Sequence, residues 1–233
     1  MIAALDLRDL FLVGHVVIFA VWFGTDLATF YLSRRVVDSA LPIDSRLVLA
    51  KAMLGIEIIA RLCLPTMLAL GLSLSLDSGY LTVGSLEPNA AIAIIWVVVA
   101  LWVGVVWTIH RSGGGELAGR LAQGDLVFRG LVCAGLWVSA IVSLVADDGP
   151  FAFNWLAVKV LLFALIMTCG ITIRFLLRPF SAAFGELVSL GSSPEREATM
   201  GLAIRRAQPL VGVIWLSLLA ATALGVLQSS LLA

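Results

Sequence analysis

Apolar residues in this chain run in near-continuous blocks of about 20, the length an α-helix needs to cross a hydrocarbon slab roughly 30 Å thick. Six such blocks stand out: Phe11–Leu32, Leu54–Leu76, Ala90–Ile109, Phe128–Val145, Trp155–Leu177 and Leu210–Leu231. No ten-residue alternating pattern accompanies them, and an open strand in lipid would leave backbone N–H and C=O groups unsatisfied. The pattern therefore predicts an all-α integral membrane protein, a single bundle of about six transmembrane helices over residues 1–233.

Composition agrees. Of 233 residues, 61% are hydrophobic and 13% charged, whereas a soluble domain carries about 45–50% apolar and about 25% charged residues. Too little polar surface is available to cover a soluble core. The first block follows Asp6, Arg8 and Asp9 and lacks a small-residue cleavage site, so a retained helix is expected rather than a cleaved leader. Formal net charge is zero and makes no case for a nucleic-acid partner.

What carries information is where the basic residues fall. Arg34, Arg35, Arg46 and Lys51 lie between the first and second blocks, and Arg111, Arg120 and Arg129 between the third and fourth. Arg174, Arg178, Arg196, Arg205 and Arg206 lie between the end of the fifth block and the sixth. These twelve of fifteen share one side, which the positive-inside rule makes cytoplasmic, leaving both termini outside. A bacterial cytoplasmic membrane is the expected location. The connections leave no room for a soluble catalytic domain. Residues 77–89 read as an outer loop, 112–115 as a glycine turn, and 180–209 as the longest connection, with Ser193 a candidate helix cap.

Charges inside a span cost roughly 2.5–3.5 kcal/mol at the bilayer centre and need a reason. Asp26, Glu57, Arg61 and Lys159 are the cases here. On the first helix His15, Phe19, Trp22 and Asp26 fall at i, i+4, i+7 and i+11, one face at 3.6 residues per turn, and that face should look into the bundle. Asp26 lies about 12 Å inside the Arg34 boundary at 1.5 Å per residue, and Arg61 is about as deep on the antiparallel second helix. Asp26 and Arg61 could therefore pair, with Glu57 reaching the same guanidinium from four residues away. Two readings stand: a structural ion pair, or a proton relay or anchor for an anionic ligand. His15 and Lys159 both fall about one turn inside the opposite boundary. There Lys159 could snorkel to the headgroups, and His15 could be a packing residue or a metal ligand. Met67 and Met167 lie deep enough to serve as soft second ligands. Cys63, Cys133 and Cys169 stand singly and suggest packing rather than a disulfide or zinc site.

Three segments carry a resemblance. His15 to Gly24 has a His-x6-Trp-x-Gly form; Arg61-Leu-Cys-Leu-Pro65-Thr-Met67 follows in the second block; Trp155-Leu-Ala-Val-Lys159 opens the fifth. Together they resemble a superfamily of small membrane proteins that includes HemJ-type protoporphyrinogen oxidases, CopD-type copper-resistance proteins and the membrane domain of cytochrome-linked urate oxidases. The resemblance implies a helical bundle carrying haem b, with His15 as axial ligand and Trp22 and Met67 beside the cofactor. It also makes Arg61 and Lys159 partners for anionic groups. The resulting expectation is a haem-b membrane oxidoreductase, with Arg61, Lys159 and Asp26 in the chemistry and quinone or a hydrophobic substrate as partner. Copper transport and a membrane-anchor subunit of a larger complex, or a homo-oligomer, are the alternatives.

Overall fold

The computed structural model describes residues 6–146 and 149–227. They form seven α-helices, with a single isolated antiparallel bridge, Leu81–Phe151, as the only extended pairing among them. The order is α1 (Leu7–Val36), α2 (Ile43–Asp77), α3 (Pro88–Arg111), α4 (Glu116–Val145), α5 (Asn154–Leu176), α6 (Arg178–Leu190) and α7 (Pro194–Val226). Five helical stretches are long and apolar enough to cross a membrane: α1, α3, α4, the α5–α6 stretch Asn154–Leu190, and α7.

The first four predicted blocks sit inside α1–α4, which overrun them because a backbone ladder continues past the point where side chains turn polar; the fifth ends at Leu177, one residue past α5, and the sixth starts inside α7 and passes its end at Val226. The end of the sixth block, Leu231, lies outside the described residues. Two corrections matter. The second helix begins at Ile43 rather than Leu54, so Arg46 and Lys51 are helical and not part of a connection. The fourth begins at Glu116 rather than Phe128, which moves Arg120 and Arg129 onto α4.

Local signals explain the boundaries. The Asp6 carboxylate accepts from the Asp9 amide at 2.8 Å and caps α1. Gly113, Gly114 and Gly115 all take positive φ, between 60° and 122°, so the tight α3–α4 turn excludes side chains at these positions. Ser193 does cap a helix, its hydroxyl accepting from the Arg196 amide. That helix is not a separate interfacial one: it runs unbroken into the last apolar block as α7. The predicted 180–209 connection is therefore α6 plus the first half of α7. Pro65, inside α2, has no N–H to offer the Arg61 carbonyl one turn earlier.

α1 runs antiparallel to α2, His15 meeting Gly71 near one end while Val36 meets Arg46 at the other. α2 packs on α3, α3 on α4, α4 on α5 and α5 on α7, but α7 touches α1 only sparingly. The open seam between α1–α2 and α5–α7 is what leaves space for cavities. A central apolar core holds Trp22, Met67, Trp102, Ile166, Met167 and Leu218. A second core joins Val36, Met53, Phe180, Leu187 and Met200, where α6 and the first half of α7 cover the ends of α1 and α2. It is pinned by Arg46, only 1% exposed, which donates to the Val36 carbonyl at 2.7 Å and to both Glu197 oxygens at 2.7 and 3.0 Å.

Candidate functional site

Two cavities lie along the seam, one toward each end of α1. The face predicted to look inward does so: His15 and Phe19 line the first cavity, Trp22 and Asp26 the second. Their helical spacing puts them on one stripe, and the stripe is long enough to serve two separate spaces. Between the cavities stands a septum of packed side chains. Trp22, 4% exposed, meets Phe163 edge-on at 6.1 Å, and Ile166 contributes to both walls.

The first cavity has a volume of about 450 Å³. Its lining is mainly apolar, including Phe19, Met67, Trp155 and Phe163, with Arg8, His15, Tyr80 and Lys159 as its charged or titratable members. α1 carries His15 toward α2, where the imidazole Cε1 lies 3.4 Å from the place a Cβ on Gly71 would occupy. The ring thus lies close against the α2 backbone at this glycine. His15 Nδ1 is buried with no hydrogen-bond partner, and buried polar atoms in native structures nearly always have one. Lys159 Nζ packs on Gly225 of α7, 2.9 Å from the corresponding Cβ position, so another glycine makes room for the second cation.

The second cavity is of similar size, about 480 Å³. Arg61, Arg129, Arg174 and Arg178 line it, together with Asp26 and Glu57. Arg61 is held by Glu57, Nη2 to Oε1 at 2.6 Å and Nε to Oε1 at 3.1 Å, as the i,i+4 spacing predicts. The expected Asp26–Arg61 pair is not formed, although both side chains line the space. Asp26 instead lies against the Trp215 indole, whose Nε1 is buried and short of hydrogen-bonding geometry. The α1–α2 crossing puts the two residues on one cavity wall without closing the contact, and Glu57 takes the guanidinium first.

The strongest polar network was not anticipated. Asp125 on α4, 4% exposed, accepts from Trp102 Nε1 of α3 at 2.8 Å and from Arg174 Nη1 of α5 at 2.9 Å. Its two oxygens both take Arg129 Nε at 3.0 Å. Arg129 also lies over the Trp102 ring, 5.1 Å from its centroid. A signal existed in the sequence: Asp125 and Arg129 have the i,i+4 spacing of a helical ion pair. The pair straddles the start of the fourth apolar block, Asp125 before Phe128 and Arg129 after it.

The predicted set is thus divided. His15, Met67 and Lys159 share the first cavity; Trp22, Asp26 and Arg61 share the second. Trp22 therefore does not stand beside His15 in one pocket, and Arg61 and Lys159 do not flank one ligand, because the septum lies between them. Met167, the other candidate thioether, is 2% exposed and lines the second cavity. His110 is exposed at the end of α3, stacked obliquely on Trp107. All three cysteines are free and buried. Among the described residues no three His, Cys, Asp or Glu side chains come together as a protein-built metal centre requires.

Compared with protein-family models, with curated proteins and with solved structures, the chain matches none.

Proposed function

We propose that this chain is a membrane redox protein that holds haem b in the His15 cavity. The observation that carries the reading is the unsatisfied His15 Nδ1 in the wall of an apolar cavity flanked by two cations. A planar tetrapyrrole needs an imidazole or similar ligand, an apolar slot and cationic groups for its carboxylates, and this lining offers all three kinds of group. Met67 on the same wall supplies a thioether, the second ligand of some cytochromes. His15 would hold the group, and Phe19 and Phe163 would keep water away. Arg8 and Lys159 would balance carboxylate charge. When bound, haem supplies a one-electron couple whose potential is tuned by axial ligand and burial. The segments around His15 and Lys159 that resemble the HemJ and CopD proteins support the same reading, with a hydrophobic substrate or quinone as exchange partner.

The proposal includes the topology. α2 runs the full length of α1 beside it and serves as a sixth crossing. With α6 and the basic first half of α7 on the cytoplasmic side, both termini lie outside, and the His15 cavity occupies the outer half of a bacterial cytoplasmic membrane.

The test is an absorption spectrum of detergent-purified protein, air-oxidised and then dithionite-reduced. A Soret band with reduced α and β bands is expected, and His15→Ala should lose the haem while still inserting in the membrane. Full haem occupancy in that variant would remove His15 as ligand. A colourless wild type after expression with ample haem would leave the membrane-anchor reading in its place.

A further inference from the structure

The second cavity has chemistry that the haem reading does not use. Its four lining guanidinium groups, Arg61, Arg129, Arg174 and Arg178, meet three carboxylates: Asp26, Glu57 and, behind the wall, Asp125. With every group ionised, one positive charge is left over. An unpartnered donor lies beside it. Arg129 is 6% exposed, its Nε is committed to Asp125 and its face to Trp102, yet its Nη2 is buried without a partner. A buried guanidinium N–H left open is costly, and an oxyanion is the group that satisfies it best.

The remaining wall says what the oxyanion is attached to. Leu64, Ile171, Val211 and Ile214 make most of it apolar, and its walls include α1 and α7, which meet where Trp215 packs against Phe23 and Phe30. A free ion would leave that apolar length filled only with water. We infer that the arginine cavity binds a singly charged oxyanion carried on an apolar chain, with its head at Arg129 and its tail along the α1–α7 seam. A lipid phosphodiester and a fatty-acid carboxylate share that chemistry. Asp26, on the same wall, is placed to adjust the charge balance around the head. The site is independent of haem, since the septum of Trp22, Phe163 and Ile166 separates it from His15.

The experiment is native mass spectrometry of the delipidated full chain, titrated separately with oleate, dioleoylphosphatidylglycerol, dioleoylphosphatidylcholine and inorganic phosphate. One saturable adduct with a net-anionic amphiphile is expected, roughly tenfold tighter than with phosphatidylcholine, whose phosphodiester offers the same oxygens but whose choline brings a cation up against the lining arginines. Tight binding of phosphatidylglycerol identifies a lipid headgroup, and tight binding of oleate a carboxylate. Arg129→Lys keeps the charge and a donor for Asp125 but removes the free nitrogen, and should weaken the adduct about tenfold. If that variant does not fold, Arg178→Gln at the exposed rim is the substitute, with the same direction expected. No preference over phosphatidylcholine, unchanged binding in a folded Arg129→Lys and in Arg178→Gln, or binding of inorganic phosphate alone would each overturn the assignment. The Soret band reports the His15 cavity separately, so failure of one site is not mistaken for failure of the other.

Discussion

Replacing Asp125 by Asn tests how three helices are held at one depth. The side chains are nearly isosteric, so packing survives and the change is one of charge and acceptor capacity. Asp125 serves two guanidinium groups and one indole, and its side chain is only 2% exposed. Removing one partner of a buried ion pair costs about 3–5 kcal/mol, because the other charge stays buried without compensation. Arg129, 7% exposed in its side chain, has nowhere to go and bears that cost. Arg174, 31% exposed, can relax into the cavity, so its share is closer to an exposed pair, at about 1 kcal/mol or less. The expected loss for Asp125→Asn is therefore about 3–5 kcal/mol. A double-mutant cycle with Arg129→Met should recover about 1–3 kcal/mol of it, since the stranded charge is then gone. The parallel cycle with Arg174→Gln should recover less. The assay is reversible unfolding in mixed micelles over a range of SDS mole fraction, followed by far-ultraviolet circular dichroism. A loss under about 1 kcal/mol for Asp125→Asn, or a cycle with Arg129 additive within about 0.5 kcal/mol, would refute the account.

Two further outcomes follow from single contacts. Arg46→Met should destabilise by about 3 kcal/mol, at the low end for a buried pair because Glu197 keeps its 2.7 Å bond to Ser192, and adding Glu197→Gln should restore part of the loss. Faster proteolysis around residues 191–193 would report the same loosening, and unchanged cleavage and stability would contradict it. Gly149→Ala would drive a Cβ into the Ser143 Cα, a backbone atom that cannot swing aside, for about 1–3 kcal/mol of overpacking. Ser143→Ala loses only the hydrogen bond that the Phe151 amide donates to its hydroxyl, and should cost about 1 kcal/mol in the same unfolding assay. Equal losses in the two variants would count against the clash.

The two cavities divide the chain's unusual residues. One is lined by His15, Arg8 and Lys159 among apolar side chains, the other by four arginines with Asp26 and Glu57. Both owe their existence to the open α1–α7 seam. Lipid is as apolar as leucine, so no hydrophobic force closes such a seam, and helices in a bilayer meet only where packing or hydrogen bonds draw them together. His15 and Lys159 each pack beside a glycine, Gly71 and Gly225.

The sequence by itself determined the helical class, the apolar blocks and the inward stripe of α1. Those features follow from local rules: backbone groups must be satisfied within each segment in lipid, and 3.6 residues per turn puts His15, Phe19, Trp22 and Asp26 on one face. The Glu57–Arg61 pair was legible for the same reason, being a contact within one helix. Only the tertiary structure decided that this stripe serves two cavities instead of one, so that Trp22 and His15 part company. It also decided that Asp26 misses Arg61, because depth along a helix fixes height but not azimuth, and contact across a crossing needs both. The network at Asp125 joins α3, α4 and α5, with Arg174 49 residues away along the chain. Hydropathy averages over neighbours in sequence and marks Asp125 and Arg129 as a polar margin. Their burial comes from side chains on other helices, whose register no single segment encodes.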